Sequence, residues 1–460
     1  MTEITPEHLS SEIAGDDVNR YRDVLNEAKM ATFDRVPNTT TAHNWVMELQ
    51  LKTLHHEDEK HCRKRARKGT DAKKLLDAIG ALSADLIKHS DNEESQGFFF
   101  RPADKDELAL TLVSYQNFKN LTTYWSEMGW IERTGFIDAR QEWDGQRLDQ
   151  SGYQRARRFR ATVEFIRIAQ EHQITAATIP DHFEKSHDRN NLVQVRETKS
   201  GGTHKPFGAK VMKMGQGQLT PHRKVIQQLN NTLREHKYNL KDTPMVRRTF
   251  NCGDRAGFNF DLGGRLYCAS DDNWMQKGKE ERASITIDGE KTLEIDVSAS
   301  QLFILYALCG QKLNYDLPPY NISGYPRLLT KGIIVAAIGK GDMPSRWPRK
   351  LNEDFLENHG ELPSKSFILK DIVNAIYSRH PVLRKLKENE LDWANLQYEE
   401  AECFVTAMQK LGDENIPALP VYDSLIVKES DLEIAYSAIE QSYIERFGHK
   451  PNVTISNGIS

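Results

Sequence analysis

Thr292-Leu293-Glu294-Ile295-Asp296-Val297-Ser298-Ala299-Ser300-Gln301-Leu302 is the stretch on which the reading of this chain turns. Leu293, Ile295 and Val297 alternate with Thr292, Glu294 and Asp296, which is the period of a strand with one apolar face. The stretch from Ser300 to Leu308 then reads as a buried helix, so Asp296 sits where strand hands over to helix. By itself such an aspartate reads as a helix cap. A second acid changes the balance. Residues 416 to 427 read as two strands meeting at Tyr422-Asp423-Ser424, which presents Asp423 near a hairpin tip, although tight turns also favour aspartate for local reasons. The two aspartates lie 127 positions apart (423 − 296), each in or beside an apolar strand and each followed closely by serine. They are expected to converge at the end of one sheet. Such a pair suits metal-assisted phosphoryl transfer, in which two divalent cations about 3.5 to 4 Å apart share carboxylate oxygens.

A chain of 460 residues is expected to hold two to four domains. Its formal net charge of −4, from 62 basic and 66 acidic residues, gives no overall positive field to mark a nucleic-acid binder, so local distribution has to carry any such argument. Basic residues crowd into Arg63 to Lys74, Arg155 to Arg167 and Lys199 to Lys213. The five cysteines (62, 252, 268, 309 and 403) are scattered and never spaced Cys-x-x-Cys, which argues against a disulfide framework or a structural zinc site. The N-terminus lacks a signal-peptide core and no apolar stretch approaches membrane-span length, so a cytoplasmic protein with no membrane partner is expected.

Residues 1–100 read as a helical N-terminal arm, with apolar residues at three-to-four spacing in Val18 to Phe33, Ala42 to Leu54 and Lys73 to Ile87. His55, His56, His61 and Cys62 fall in a polar part of this arm and read as a solvated helix face rather than as metal ligands. In residues 101–185 a helix from Tyr115 to Met128 ends at Gly129 and is followed by short strands at Trp130-Ile131-Glu132-Arg133 and Gly135-Phe136-Ile137-Asp138 and a turn at Asp144-Gly145, the order of a winged helix. Arg157, Arg158 and Arg160 beyond it are expected to neutralise nucleic-acid phosphates. Residues 186–250 combine a Gly- and Lys-rich loop with a helix from about His222 to His236.

Taken in order, Gly263-Gly264-Arg265-Leu266, the Asp296 strand, Arg327 with Lys331, the helix from Gln397 to Met408, and Tyr422-Asp423-Ser424 resemble the palm and fingers of the A-family DNA polymerases and the related single-subunit, phage-type RNA polymerases. The resemblance covers roughly residues 250 to 430. Uncharacterised proteins of bacterial mobile elements are similar in their Gly-Gly-Arg and Asp-Ser arrangement. The resemblance implies a palm of antiparallel strands with helical fingers over 251–460; with a thumb-like or linker region over 186–250 and the helical arm and winged-helix-like basic module read from the residues before it, the chain is expected to be α+β. The resemblance also implies that Asp296 and Asp423 hold two Mg ions, with Mn as a substitute. Arg327 and Lys331, one helical turn apart, would bind the triphosphate. Gln301 would lie near the sugar, while Arg265, Gln397, Tyr422 and Ser424 would meet the nucleic acid. Partners would be a DNA or RNA primer-template and nucleoside triphosphates. The chain departs from the family at Tyr422 (usually histidine), Gln301 (usually glutamate in the A-family) and Gly339 (usually tyrosine). No exonuclease signature stands out in the first 200 residues. The expectation is thus a DNA polymerase without proofreading. A primase or RNA polymerase is the nearest alternative, and a catalytically silent nucleic-acid-binding replication or regulatory protein on a decayed palm is another.

Overall fold

The computed structural model describes residues 24–63, 67–109, 111–134, 137–138, 154–186, 192–198, 211–212 and 214–456. The expected turn at Asp144-Gly145 and most of the lysine-rich segment 199–213 lie outside the described residues. The chain is mixed α+β and divides into two compact units, Met1–Asn191 and Leu192–Ser460. Among the described residues no helix is long and apolar enough to cross a membrane.

In the first unit the elements run β1 (Lys29–Met30), β2 (Arg35–Pro37), α1 (Thr40–His56), α2 (Gly69–His89), β3 (Phe99–Phe100), α3 (Tyr115–Glu127), β4 (Ile131–Arg133), β5 (Ile137–Asp138), β6 (Gln154–Arg155), β7 (Arg158–Ala161), α4 (Val163–Glu171) and β8 (Phe183–Lys185). The helix starts are set locally: the hydroxyls of Thr39, Ser114 and Thr162 each accept a backbone N–H of the first turn, as good N-caps do. One hydrophobic core runs from Ala31 to Phe183 and holds Phe33, Trp45, Ile79, Phe99, Trp125 and Phe165, so the expected arm and the expected winged-helix-like module share it. The strands form a sheet in the order β1-β3-β7-β4, with β2 pairing β8 and β5 pairing β6.

The three arginines expected to meet phosphate are largely engaged within this unit. Arg158 is buried, its Nε donates to the Leu25 carbonyl at 3.0 Å, and its guanidinium lies 4.8 Å from the Phe100 ring centroid. Arg158 is thus a fastener of the fold, held by burial, the Leu25 carbonyl and the Phe100 ring. Arg160 forks onto Glu132 at 2.7 and 2.9 Å and lies over the Phe98 ring. Arg157 is half-buried beside Arg133.

The second unit contains β9 (Val193–Val195), α5 (Gln216–Arg234), β10 (Val246–Phe250), β11 (Gly263–Cys268), β12 (Thr286–Ile287), β13 (Glu290–Val297), α6 (Ser300–Leu308), α7 (Arg327–Lys340), α8 (Arg349–His359), α9 (Leu369–Arg379), α10 (Trp393–Asp413), β14 (Leu419–Val421), β15 (Ser424–Lys428), α11 (Leu432–Phe447) and β16 (Val453–Ser456). One sheet is β11-β10-β9; the other is β12-β13-β15-β14, with β16 also on β13. Strand β13 is central: β15 runs along one side, while β12 covers the first part of the other side and β16 the second. Its Ile295 and Val297 are fully buried, as the alternation predicts, and α6 is a run of apolar side chains sunk into the same core. Helix α10 packs on β11 and alongside α6 and α11.

Strand β9 reaches only as far as Arg248 on β10, so the Val246 peptide has no strand on that side. Asn230 of α5 replaces it: its Nδ2 donates to the Val246 carbonyl at 3.0 Å and its Oδ1 accepts the Val246 N–H at 2.8 Å, all buried. Truncating Asn230 would leave two buried backbone groups unsatisfied, at about 1–3 kcal/mol each. Asn230→Ala is therefore expected to lower unfolding free energy by about 2–4 kcal/mol, read as a fall in the urea midpoint.

Candidate active site

The Asp296 strand and the Asp423 hairpin lie side by side in one sheet. Asp296 pairs with Ser424 in the β13–β15 ladder, one residue from Asp423. Val421 pairs with Ser424, so Tyr422 and Asp423 form a two-residue turn, and Tyr422 adopts the left-handed φ of 56° that such a turn requires. The Val297 N–H donates to the Asp423 carbonyl at 3.1 Å, tying the turn to the end of β13. Asp296 does not cap α6: the helix starts four residues later, behind Ala299, itself left-handed at φ 55°, and without a side-chain cap. Gln301 sits half-buried in the first turn of α6.

Two further carboxylates stand close by, and each has its own arginine. Glu294, two residues before Asp296 on the same face of β13, accepts from Arg282 at 3.0 and 3.1 Å. The Ser424 hydroxyl lies 2.7 Å from a Glu294 oxygen and 2.9 Å from the Val421 carbonyl, and it is buried. Ser424 is thus built into the scaffold under the turn rather than exposed to a ligand. Glu400 of α10 is fully buried, pairs with Arg265 of β11 through Nε at 3.1 Å, and hydrogen-bonds Ser300, whose hydroxyl is 2.9 Å from that of Tyr443. Arg265 also lies over the Tyr422 ring, 5.5 Å from its centroid. Gln397, three residues before Glu400, is buried, with its Oε1 at 3.5 Å from the Asn251 amide nitrogen.

With Glu294 and Glu400 each matched by an arginine, Asp296 and Asp423 carry the site's weakly compensated charge. Burial first, then Asp423, Glu294 and Glu400, push the Asp296 carboxyl up to about 7, against the pull of Lys331. Asp423 is also raised, again chiefly by burial, with Arg265 and Lys331 opposing. Buried carboxylates whose charged form is disfavoured in this way favour a cation that can take a proton's place. Their hard oxygens suit magnesium or manganese.

Cations approach from α7. Arg327, Lys331, Val335 and Gly339 recur at intervals of four and form its exposed stripe. Tyr320 lies under the start of this stripe, with Arg327 and Lys331 at 5.7 and 5.8 Å from its ring centroid. Burial and the neighbouring Asp423 carry the Tyr320 hydroxyl up to about 12. The structure therefore brings Asp296, Asp423, Arg265, Tyr422, Arg327 and Lys331 into one electrostatic neighbourhood, with Gln301 and Gln397 on the helices around it. Sequence reasoning missed Glu294, Glu400, Arg282 and Tyr320. The period-two position of Glu294 and the helical spacing of Glu400 from Gln397 were available signals; Tyr320 had none.

No family model matches the chain, and no curated protein matches it. Among solved structures, the polymerase domain of Pol1 from M. smegmatis, in complex with DNA primer-template and dNTP, aligns at a TM-score of 0.26 and 12% identity, over 52% of this chain and 50% of that one. The chain thus spans about half the length of that structure, and a likeness at this level carries no argument about activity.

Two outcomes test the electrostatics directly. Asp296 has a folded pKa near 7 against 3.8 for the ordinary group, so its charged form is disfavoured by folding. The penalty is absent below pH 3.8, grows as pH rises between the two values and is complete above 7. In chelator, Asp296→Asn is expected to melt at least about 2 °C above wild type at pH 8, with the gap closing toward pH 5 in a thermal-melt series. Conversely, Arg265→Ala strands the buried Glu400 and should cost on the order of 3 kcal/mol, part of which returns in Arg265→Ala/Glu400→Gln.

Proposed function

We propose that this protein is a template-directed nucleotidyltransferase, a DNA polymerase without proofreading, in which a primer 3′-hydroxyl attacks the α-phosphate of a nucleoside triphosphate and pyrophosphate leaves. The observation that carries the reading is the register that sets Asp296 against the Asp423 turn, at the end of the β13 and β15 strands, where Lys331 acts on both acids. In this reading the sheet of β12 to β16 is the palm and the helices α7 to α9 are the fingers. Residues 186–250 form a thumb-like or linker region, 1–100 a helical arm and 101–185 a winged-helix-like module.

Asp296 and Asp423 would hold two magnesium ions, which when bound lower the pKa of the attacking hydroxyl and stabilise charge on the leaving oxygen. Arg327 and Lys331 would grip the β- and γ-phosphates, since two cations one turn apart on an exposed helix face can meet phosphate oxygens together. Lys331, which already acts on both aspartates, links the triphosphate position to the carboxylates. Gln301 would border the sugar. Tyr422, exposed at the turn and backed by Arg265, would face the primer end, and Gln397 would support the template side. The departures at Tyr422 and Gly339 leave the site without the family's usual histidine and tyrosine, so base-pair selection is expected to be relaxed.

A primer-extension assay with magnesium tests the reading. Wild type is expected to extend a DNA primer with dNTPs, and Asp296→Asn or Asp423→Asn to lose at least about 10³-fold in rate. Arg327→Ala and Lys331→Ala should each raise the KM for dNTP by about tenfold, the loss of one charge-assisted hydrogen bond. Synthesis from NTPs without a primer would instead make the protein a primase or RNA polymerase. DNA binding with no extension by wild type would assign it a purely binding role.

A further inference from the structure

The first unit holds a side-chain cluster that the nucleotidyl-transfer reading does not use. Helix α1 does not end in an ordinary turn: residues Glu57–His61 form a π-helical turn, closed by Cys62 at φ 43°. In an α-helix, residues five apart point about 140° away from each other. The wider π-turn instead brings His56 and His61 to one side, and such turns recur at functional sites. Both imidazoles reach the same oxygen of Glu127 at the end of α3: His56 Nε2 lies 2.7 Å and His61 Nε2 2.8 Å from Glu127 Oε2. The three ligand atoms lie within 4.8 Å of one another.

We propose that His56, His61 and Glu127 form a binding site for one divalent transition-metal ion of the zinc class. Two imidazoles and one carboxylate are a donor set for zinc, copper or nickel rather than for magnesium or calcium, which take oxygen ligands. Zinc bonds of about 2.0–2.1 Å in tetrahedral geometry place ligand atoms roughly 3.3 Å apart, so each histidine has to draw back from the Glu127 oxygen by only about half an ångström. The side chains are 13%, 32% and 41% exposed, which leaves the fourth position to solvent.

The surroundings hold the ligands in place. Glu57, the first residue of the π-turn, is buried and anchored by Arg67 at 2.6 and 2.7 Å. Tyr124 donates its hydroxyl to Glu57 at 3.2 Å, while its ring packs 4.4 Å from the His61 ring and 6.0 Å from that of His56. The Tyr124 ring thus backs His61 closely and His56 at longer range. The ion would clamp the end of α1 to the end of α3. The site is independent of Asp296 and Asp423, and each assignment can fail without the other.

The test uses the full chain carrying Asp296→Asn/Asp423→Asn, so that the other carboxylate pair does not compete. Stripped with chelator and titrated with zinc chloride by calorimetry, this protein is expected to bind about one ion per chain and to melt at a higher temperature with zinc than without. Cobalt(II) should give the intense visible absorption of a tetrahedral centre. His56→Gln/His61→Gln, and separately Glu127→Gln, should each weaken zinc binding by at least about tenfold while leaving far-UV circular dichroism unchanged. Glu127→Gln keeps an acceptor for the imidazoles but removes the ligand charge, so it separates metal binding from a mere hydrogen-bond cluster. No zinc uptake by the starting protein, or equal uptake by these variants, would overturn the proposal.

Discussion

The second unit depends on the backbone ladder between β13 and β15. Asp296 faces Ser424 because five consecutive residue pairs, from Thr292–Lys428 to Asp296–Ser424, hold the two strands in that register. Ile295, Val297, Leu425 and Val427 bury their side chains at the same time. A slip of one residue would turn Ile295 toward the polar face and Asp296 into the core, a double penalty that the apolar alternation prevents. The hydrophobic effect thereby sets the register, and the register sets the distance between two acids far apart in the chain. The hydrogen bond from Val297 to the Asp423 carbonyl completes the alignment beyond the last pair.

Charge is distributed around this ladder in two tiers. Glu294 and Glu400 are held by Arg282 and Arg265, and Ser424 and Ser300 add hydrogen bonds that fix their orientation. Among the described residues Asp296 and Asp423 are not forked onto an arginine in this way; burial chiefly raises both, with Lys331 opposing at each and Arg265 at Asp423. The outer carboxylates are thus compensated, and the inner pair is left with the less compensated charge. In the first unit the opposite holds for the arginines that looked available: Arg158 and Arg160 find carbonyl, carboxylate and aromatic partners within the fold.

The histidine cluster shows a different limit of sequence reading. His55, His56 and His61 look like a solvated face when a regular helix is assumed, because regular spacing does not bring 56 and 61 together. His55 does remain on such a face, paired with Glu59. The single π-turn, held by a buried Glu57 and the aromatic Tyr124, instead brings the other two onto one oxygen of Glu127. Its third member, Glu127, lies 71 residues from His56 and carried no local signal.

Period-two alternation at 292–297, the apolar run at 300–308 and the turn residues at 422–424 were sufficient to locate a strand, a buried helix and a hairpin, because these depend on local periodicity and backbone preference. The i, i+4 spacing of Arg327 and Lys331 likewise put both cations on one face in advance. Tertiary structure alone decided which strand lies beside which, that Glu400 and Glu294 join the two aspartates, that Tyr320 underlies both cations, and that Arg158 is buried. Those outcomes follow from packing across tens to more than a hundred residues of intervening chain. Local propensity holds no information about such distances.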